Sequence, residues 1–215
     1  LALGFEGARV ALVSRNKKQL EKVANEAGND SFSIQCDVTN DSDIDRALGV
    51  IRKEFGGSPD IVVNNAGLFT IKTLDDTLTG EFDKILATNL RAPFRLIREL
   101  LPAMRERGSG DIVTIGSIAD RNIFAGNAAY SATKYGQRAL HEVLRAETRG
   151  TGVRATLISP AAVDTDIWDP IQYLGSDQNP DRSTMLSPES VSDAVLFAVT
   201  RPADVNIDEL RLSRS

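Results

Sequence analysis

Short apolar runs alternate with longer amphipathic segments along most of the chain. The apolar runs lie near Ala8–Val13, Phe32–Cys36, Ile61–Val63, Ile112–Ile115 and Arg154–Ile158, and their lack of polar positions is typical of parallel strands buried on both faces. Helical patterns fall at about Lys17–Ala27, Ser42–Phe55, Gly80–Arg107, Ala128–Arg149 and Pro188–Thr200, and Val205–Leu212 can form an edge strand. The alternation predicts an α/β fold in which one doubly wound, Rossmann-like parallel sheet has helices on both faces and residues 1–215 form a single domain.

Composition narrows the functional classes. The chain has 215 residues, of which 41% are apolar and 26% charged, and its net charge is -5. No basic stripe is available to neutralise phosphates, so nucleic acid is not an expected partner. The single cysteine, Cys36, rules out an internal disulfide and favours a reducing compartment. No apolar run reaches the roughly 20 residues that span a bilayer, so we expect a cytoplasmic protein without membrane contact.

Candidate catalytic residues cluster between positions 117 and 134. Ser117 ends a strand-like run, and Tyr130 and Lys134 are four residues apart in a helical pattern, which places them on one helix face. A nearby ammonium favours the phenolate and lowers the pKa of a tyrosine, so Tyr130 is a candidate general acid/base. The Ser117 hydroxyl can donate a hydrogen bond to a carbonyl oxygen as negative charge develops there. Tyr-x-x-x-Lys alone is weak evidence, because any amphipathic helix can carry it by chance.

These three residues at these intervals resemble the active site of the short-chain dehydrogenase/reductase family. The resemblance extends to Asn64-Asn65-Ala66-Gly67 after a predicted strand and covers nearly the whole chain. It implies catalytic roles for Ser117, Tyr130 and Lys134, and it implies that Asn89 holds a water molecule that links the catalytic lysine to solvent. No convincing metal site is visible, because His141 is the only histidine and lacks neighbouring ligands.

The first residues depart from the family pattern. Leu1–Val10 read as the end of a helix that leads into the second strand, and the first strand and a turn of the form Thr-Gly-x-x-x-Gly-x-Gly are absent. That turn lets the backbone approach the cofactor pyrophosphate. Either about 15–25 natural residues are omitted, or the protein is damaged; we expect omission, because a sheet without a central strand leaves backbone groups unpaired.

The turn after the predicted strand Ala8–Val13 indicates the cofactor. Ser14-Arg15-Asn16-Lys17-Lys18 contains no acid, whereas dinucleotide folds that choose NAD place one here. Cations at a helix start are unfavourable unless an anion binds. We therefore predict a preference for NADP, with Arg15 contacting the 2'-phosphate, although a solvated basic turn is the alternative.

The resemblance implies further cofactor contacts. Asp37 and Val38 match the adenine-binding position, although Asp37 can instead cap the following helix, a role for which Asn40 and Asp41 compete. Asn64 and Ala66 are expected near the ribose, with Asn65 bracing the sheet. Beyond Ile158 the family usually has Pro-Gly where this chain has Pro160-Ala161, and Val163 and Thr165 are expected to contact the nicotinamide. The cofactor-binding set is completed by Ser14, Arg15, Tyr130 and Lys134.

The segment 162–187 is expected to be a substrate lid. It is rich in Asp, Pro, Ser and Gly, and its five aspartates against one arginine, Arg182, weakly disfavour a strongly anionic substrate. Arg121 can bind a substrate carboxylate, although an ordinary surface role is the alternative. The small residues of the helix that carries Tyr130 suit close contact, and the resemblance implies a homodimer or homotetramer.

The sequence thus predicts an NADP-dependent carbonyl reductase or alcohol dehydrogenase acting on a small carbonyl or alcohol substrate. Two rival functions stay open. One is a dinucleotide-binding sensor or scaffold without turnover. The other is a 3-ketoacyl-thioester reductase, which needs a basic patch near the lid.

Overall fold

Six parallel strands form the centre of the molecule in the computed structural model, which describes residues 1–171 and 181–215. The strands are β1 (Ala11–Ser14), β2 (Phe32–Gln35), β3 (Ile61–Asn64), β4 (Gly110–Ile115), β5 (Val153–Pro160) and β6 (Glu209–Leu212). Every strand pairing in this part of the chain is parallel. The five predicted strands are present, and the predicted edge strand is shorter than expected.

Seven α-helices connect and flank the strands in the described part of the chain. They are α1 (Ala2–Phe5), α2 (Lys17–Ala27), α3 (Asp41–Phe55), α4 (Thr79–Leu86), α5 (Ala92–Arg107), α6 (Ala128–Thr148) and α7 (Pro188–Val199). The bounds of α2 match the predicted ones, and those of α3, α6 and α7 differ by one residue at one end. None of the helices in residues 1–171 and 181–215 is long and apolar enough to cross a membrane.

The parallel sheet is divided into two parts. One has two strands in the order β1-β2, and the other has four in the order β3-β4-β5-β6. In the described residues, β1 and β3 are not paired with each other. The chain winds away from this division in opposite directions, so the division lies at the switch point of the doubly wound order. It is also where the sequence analysis expected a further strand.

Helices cover both faces of the four-stranded part. Ile112 packs with Leu101 of α5 and Leu144 of α6, whereas Val113 packs with Val195 of α7. Consecutive residues of a strand point to opposite faces, so these two clusters are the two cores of a doubly wound domain. The predicted fold class is confirmed.

The long predicted helix Gly80–Arg107 is interrupted. A π-helical turn, Ala87–Arg91, separates α4 from α5, directly before Pro93. Proline has no N–H group and its ring crowds the carbonyl four residues earlier, which here belongs to Asn89. Pro102 also lies inside α5, which continues to Arg107.

One of the small residues of α6 serves contact within the chain. A methyl group at Gly136 would lie 2.8 Å from the side chain of Leu90, so this glycine lets α6 approach the π-helical turn. The prediction that the small residues of this helix build an oligomer stays a prediction.

Candidate active site

Ser117 lies at the carboxyl end of β4, in a turn pressed against β5. The Gly116 backbone N–H donates to the Ile158 carbonyl at 2.7 Å, and a methyl group at Gly116 would lie 3.0 Å from Ser159 Oγ. Ser117 Oγ accepts a hydrogen bond from the Ala119 N–H at 3.2 Å and so begins a short 3₁₀ helix, Ile118–Asp120. The close approach of Gly116 to β5 therefore fixes the position of the Ser117 hydroxyl.

Tyr130 lies in the first turn of α6 and faces Ser117. Burial, as the largest cause, raises the pKa of Tyr130 above its usual value, while a hydrogen bond with the Ser117 side chain lowers it. Negative charge on Asp120 adds to the increase. The phenol is therefore held in its protonated form beside the serine hydroxyl, where it can donate a proton.

Lys134 is buried one turn further along α6. Its Nζ donates hydrogen bonds to the Ile115 carbonyl and to Gln137 Oε1, both at 2.9 Å. Burial lowers the pKa of Lys134 to about 8, and Asp120 opposes this shift. Gln137 was not among the residues predicted from the sequence, although a polar residue three positions after Lys134 on the buried face of the helix is the pattern that could have revealed it.

The predicted lowering of the Tyr130 pKa by Lys134 does not agree with the geometry. The Lys134 ammonium lies 5.6 Å from the centroid of the Tyr130 ring, and two of its three donors are directed at Ile115 and Gln137. The hydrogen bond that lowers the pKa of Tyr130 comes from Ser117, and burial outweighs it. Spacing on a helix brought the two side chains to one face, but it could not show where the ammonium would point.

Asn89 joins α6 to the loop after β3. Its side chain accepts a hydrogen bond from the Leu68 N–H at 2.8 Å and donates to the Leu68 carbonyl at 2.9 Å and to Thr133 Oγ1 at 3.1 Å. The residue is fully buried. Asn89 therefore fixes the loop after β3 to the helices. The predicted link through water to Lys134 stays a prediction.

Asp120 is a buried acid that the sequence analysis did not single out. It is 1% exposed, accepts a hydrogen bond from Ser159 Oγ at 2.6 Å, and pairs with Arg121 at 2.6 Å. Arg121 also pairs with Glu209 of β6. This network ties the Ser117 turn to β5 and β6. Because Arg121 pairs with two acids, it is neither an ordinary surface residue nor a free binding group for a substrate carboxylate.

A second group of predicted residues lies at the carboxyl ends of β1 and β2. Ser14 and Arg15 are exposed there, and the positive charge of Arg15 contributes to the lowered pKa of Asp37, whose largest cause is a hydrogen bond from the Thr39 backbone. Asn40 caps α3 by accepting from Ser42 N–H at 3.0 Å. Asp37 is therefore not the cap of α3. The half-buried Val38 follows it, packed against the adjacent hydrophobic core.

Asn64 and Asn65 differ in burial at the end of β3. Asn64 is 5% exposed, and neither its amide nitrogen nor its amide oxygen has a hydrogen-bond partner within the described residues. Asn65 and Ala66 are exposed, so Asn65 does not brace the sheet from its interior. Asn64 is buried because it is still the last residue of the strand, whereas Asn65 lies beyond it.

The chain after β5 holds Val163 and Thr165 beside the end of the expected lid. Val163 forms a parallel bridge with Leu186, and the Asp164 N–H donates to the Leu186 carbonyl at 2.9 Å. Thr165 precedes a short 3₁₀ helix, Asp166–Trp168. Among the described residues, Asn29 and Asp30 are the non-glycine residues with positive φ, so Ala161 stands in the place of the family's glycine without backbone strain. Residues 172–180 of the expected lid lie outside the described residues.

The two remaining singled-out side chains are buried in the core. Burial raises the pKa of the Cys36 thiol to about 11, which makes it an unreactive apolar group. Burial lowers the pKa of His141 to about 4, so this histidine is a neutral packing residue on α6.

The predicted cofactor-binding and catalytic residues follow the carboxyl edge of the sheet, where doubly wound folds bind dinucleotides. They run from Arg15 and Asp37 past Asn64 to Ser117 and Lys134. A buried amide without a protein partner costs free energy unless a ligand satisfies it, and the Asn64 amide has no partner among residues 1–171 and 181–215. The residues therefore fit the adenosine and the nicotinamide riboside of a dinucleotide, while the glycine-rich pyrophosphate turn is not found within residues 1–215.

Comparisons with known proteins agree with this geometry. The family model described as short chain dehydrogenase matches residues 1–173. An uncharacterized oxidoreductase from Staphylococcus aureus strain MW2 is 35% identical over 206 residues, which cover 95% of this chain and 86% of the relative.

Two solved structures are also similar. Serine dehydrogenase from Escherichia coli superposes with a TM-score of 0.84 at 31% identity, over 98% of this chain and 88% of the other. An alcohol dehydrogenase from the archaeon Thermococcus sibiricus, complexed with 5-hydroxy-NADP, gives 0.85 at 28% identity with the same coverage of 98% and 88%. The chain belongs to the short-chain dehydrogenase/reductase family of oxidoreductases.

Proposed function

We propose that this protein transfers a hydride between NADP(H) and a small carbonyl or secondary alcohol substrate. The observation that carries the proposal is the position of the buried Lys134 ammonium, which lies 5.6 Å from the centroid of the Tyr130 ring and 2.9 Å from the carbonyl of Ile115, two residues before Ser117. A phenol and a hydroxyl that meet in a partly buried site can bind one carbonyl oxygen together and stabilise the charge that develops on it.

Each residue has a distinct part in the proposed reaction. When bound, the nicotinamide supplies the hydride. Ser117 donates a hydrogen bond to the carbonyl oxygen, and Tyr130 gives its phenolic proton to the same oxygen. Lys134 would hold the cofactor ribose through the donor that Ile115 and Gln137 leave available, and it places positive charge near the phenolate that forms. Asn89 fixes α6 to the loop after β3 and so keeps Tyr130 in place.

The choice of NADP rests on the exposed basic turn. Arg15, Lys17 and Lys18 are exposed around the start of α2, and the first turn of that helix contains no acid. A planar guanidinium suits a 2'-phosphate because it can donate two parallel hydrogen bonds. The similar archaeal alcohol dehydrogenase, which was complexed with 5-hydroxy-NADP, supports this choice. Ser14, Asp37 and Val38 would contact the adenosine, Asn64 and Ala66 the ribose, and Val163 and Thr165 the nicotinamide.

Replacing Tyr130 by Phe tests the proposal. NADPH oxidation is followed at neutral pH over a panel of aldehydes, ketones and 3-oxo acids, and the variant should lose about 10²–10⁴-fold in kcat/KM because the proton donor is gone. Tyr135→Phe is the matched control, since it makes the same change at a residue of α6 that is 40% exposed. Equal activity of the wild type and Tyr130→Phe would contradict the proposal. NADPH binding without turnover on any substrate would favour the sensor or scaffold function.

The thioester reductase alternative has less support. The one arginine of the segment 162–187, Arg182, pairs with Asp164 at 3.3 Å and with Asp169. A carrier phosphate near the lid would therefore have to compete with two carboxylates for this cation.

A further inference from the structure

Three aromatic rings border the hydroxyl groups of the proposed reaction. The Phe69 ring meets the Tyr130 ring edge-on with centroids 4.8 Å apart, and it meets the Trp168 ring in the same manner at 5.0 Å. The rings come from three parts of the chain, namely the loop after β3, the start of α6 and the segment after β5, and all three residues are half-buried. A substituent on a carbonyl group held at Tyr130 would therefore meet aromatic surface.

Hydrogen bonds fix the positions of Phe69 and Trp168. Asn89 holds the backbone of Leu68, directly before Phe69, through both its N–H and its carbonyl. The indole Nε1 of Trp168 donates to the Val163 carbonyl at 2.9 Å. Buried indole N–H groups need such a partner, so Trp168 is held with its polar atom satisfied and its ring presented to Phe69. The aromatic surface is thus part of the built site and not a chance contact of side chains.

Apart from the buried Lys134, whose Nζ donates to Ile115 and Gln137, the two arginines tied to this region already face acids. Arg121 lies between Asp120 and Glu209, and Arg182 lies between Asp164 and Asp169. A guanidinium binds a carboxylate most strongly when both members of the pair are free to form parallel hydrogen bonds. With two protein carboxylates on each arginine, a substrate carboxylate would have to displace one of them.

The charge of the surrounding segment acts in the same direction. Its described residues, 162–171 and 181–187, contain four aspartates and one arginine, so their sum is negative even with Arg182 included. An anionic substrate would leave water to enter a region of like charge, which carries a free-energy cost, whereas a neutral apolar substrate gains from contact with the aromatic rings.

We infer that this site takes neutral carbonyl compounds with an aromatic or other apolar substituent and discriminates against those that carry a carboxylate. The inference deepens the proposed function and rests on it. It also separates this chain from its neighbour serine dehydrogenase, because serine carries a carboxylate.

A pair of substrates with the same reacting aldehyde tests the inference. Methyl 4-formylbenzoate is neutral and 4-formylbenzoate is anionic at pH 7, and NADPH oxidation gives kcat/KM for each with the purified protein. We expect the ester to be favoured by about tenfold or more, the factor that a modest difference in binding produces. Equal values, or a preference for the carboxylate, would overturn the inference.

Two variants connect the preference to the named residues. Trp168→Ala should lower kcat/KM for the ester by about tenfold and should lower that for acetaldehyde, which lacks a large substituent, by clearly less. Trp168→Phe should restore most of the loss because it keeps an aromatic ring. In the double variant Asp164→Asn/Asp169→Asn, Arg182 loses both acids, and the ratio of ester to carboxylate should fall. Equal losses on the ester and acetaldehyde, or an unchanged ratio, would contradict the assigned roles.

A binding measurement separates this inference from the proposed function. Trp168 is the single tryptophan of the chain, so intrinsic fluorescence excited at the indole reports on this site alone. Titration with the ester should change the emission at lower concentration than titration with the carboxylate. If the ester binds preferentially but no NADPH is oxidised, the reductase proposal fails and the ligand preference stands. If turnover occurs with no difference between the two compounds in binding or rate, the preference fails and the reductase proposal stands.

Discussion

The two parts of the sheet carry polar side chains of different character at the same edge. The two-stranded part ends in exposed groups, Ser14 and Arg15, whereas the four-stranded part ends in a buried group around Lys134 and Asp120. Exposed charges interact through water and are screened, while buried ones change the pKa values of their neighbours. We therefore expect substitutions at the first part to alter cofactor choice, and substitutions at the second to alter stability and turnover.

The largest change in stability should come from Asp120→Asn. Asp120 is buried, and its loss of charge weakens the pair with Arg121 and the hydrogen bond from Ser159. Breaking a buried ion pair by changing one partner costs about 3–5 kcal/mol, and we expect the lower end because Arg121 keeps Glu209. Urea denaturation followed by circular dichroism measures the free energy of unfolding.

Asp111→Asn is the matched control, because Asp111 forms a comparable partly buried pair with Arg154 at 2.8 Å at the opposite end of β4. Both variants should lose stability, but only Asp120→Asn should also change turnover. If the two changed turnover equally, the special position of Asp120 beside the candidate catalytic residues would be refuted.

A smaller effect is expected at the two-stranded part. Arg15→Asp should lower kcat/KM for NADPH by about 10–100-fold, the value of one hydrogen bond to a charged group, and should leave NADH equal or better. Steady-state kinetics with both cofactors measures the ratio. Arg149→Asp makes the same change in charge at the exposed end of α6, away from the site, and should not alter it. Unchanged cofactor selectivity in Arg15→Asp would refute the role of the basic turn.

The smallest effect is expected from Asn40→Ala. This change removes the side-chain cap of α3 and should cost about 1 kcal/mol of stability without altering the NADPH to NADH ratio. Ser187→Ala, which removes the cap of α7, is the matched control. The two variants should lower the midpoint of thermal unfolding by similar amounts. A shift in cofactor choice in Asn40→Ala would mean that the capping residue, and not Asp37, faces the adenosine.

Local patterns in the sequence were sufficient to predict most of the strands and helices. The strands and helices were predicted from apolar runs and helical periodicity. Both Asn40 and Asp37 could cap α3 by sequence, and the residue at which this helix begins identifies Asn40 as the cap. The division of the sheet between β1 and β3 falls where the sequence lacked a strand.

Contacts between distant segments were beyond the sequence. Asp120 reaches Ser159 of β5, and Asn89 reaches Leu68, and neither contact has a local pattern. The direction of the Lys134 ammonium, toward Gln137 instead of the Tyr130 hydroxyl, depends on packing that spacing does not encode. Local rules therefore located the candidate residues but did not give their hydrogen-bond partners.

The pH dependence of carbonyl reduction tests the central claim, that a buried ammonium beside Tyr130 and Ser117 supports the proton transfer. Burial lowers the pKa of Lys134 to about 8. The protonated form is present below that pH and is lost as the pH rises through it, and kcat/KM reports groups of the free enzyme. We predict that kcat/KM of the wild type falls above pH 8, and that the residual activity of Lys134→Met lacks this decrease. The same decrease in both proteins would contradict the account.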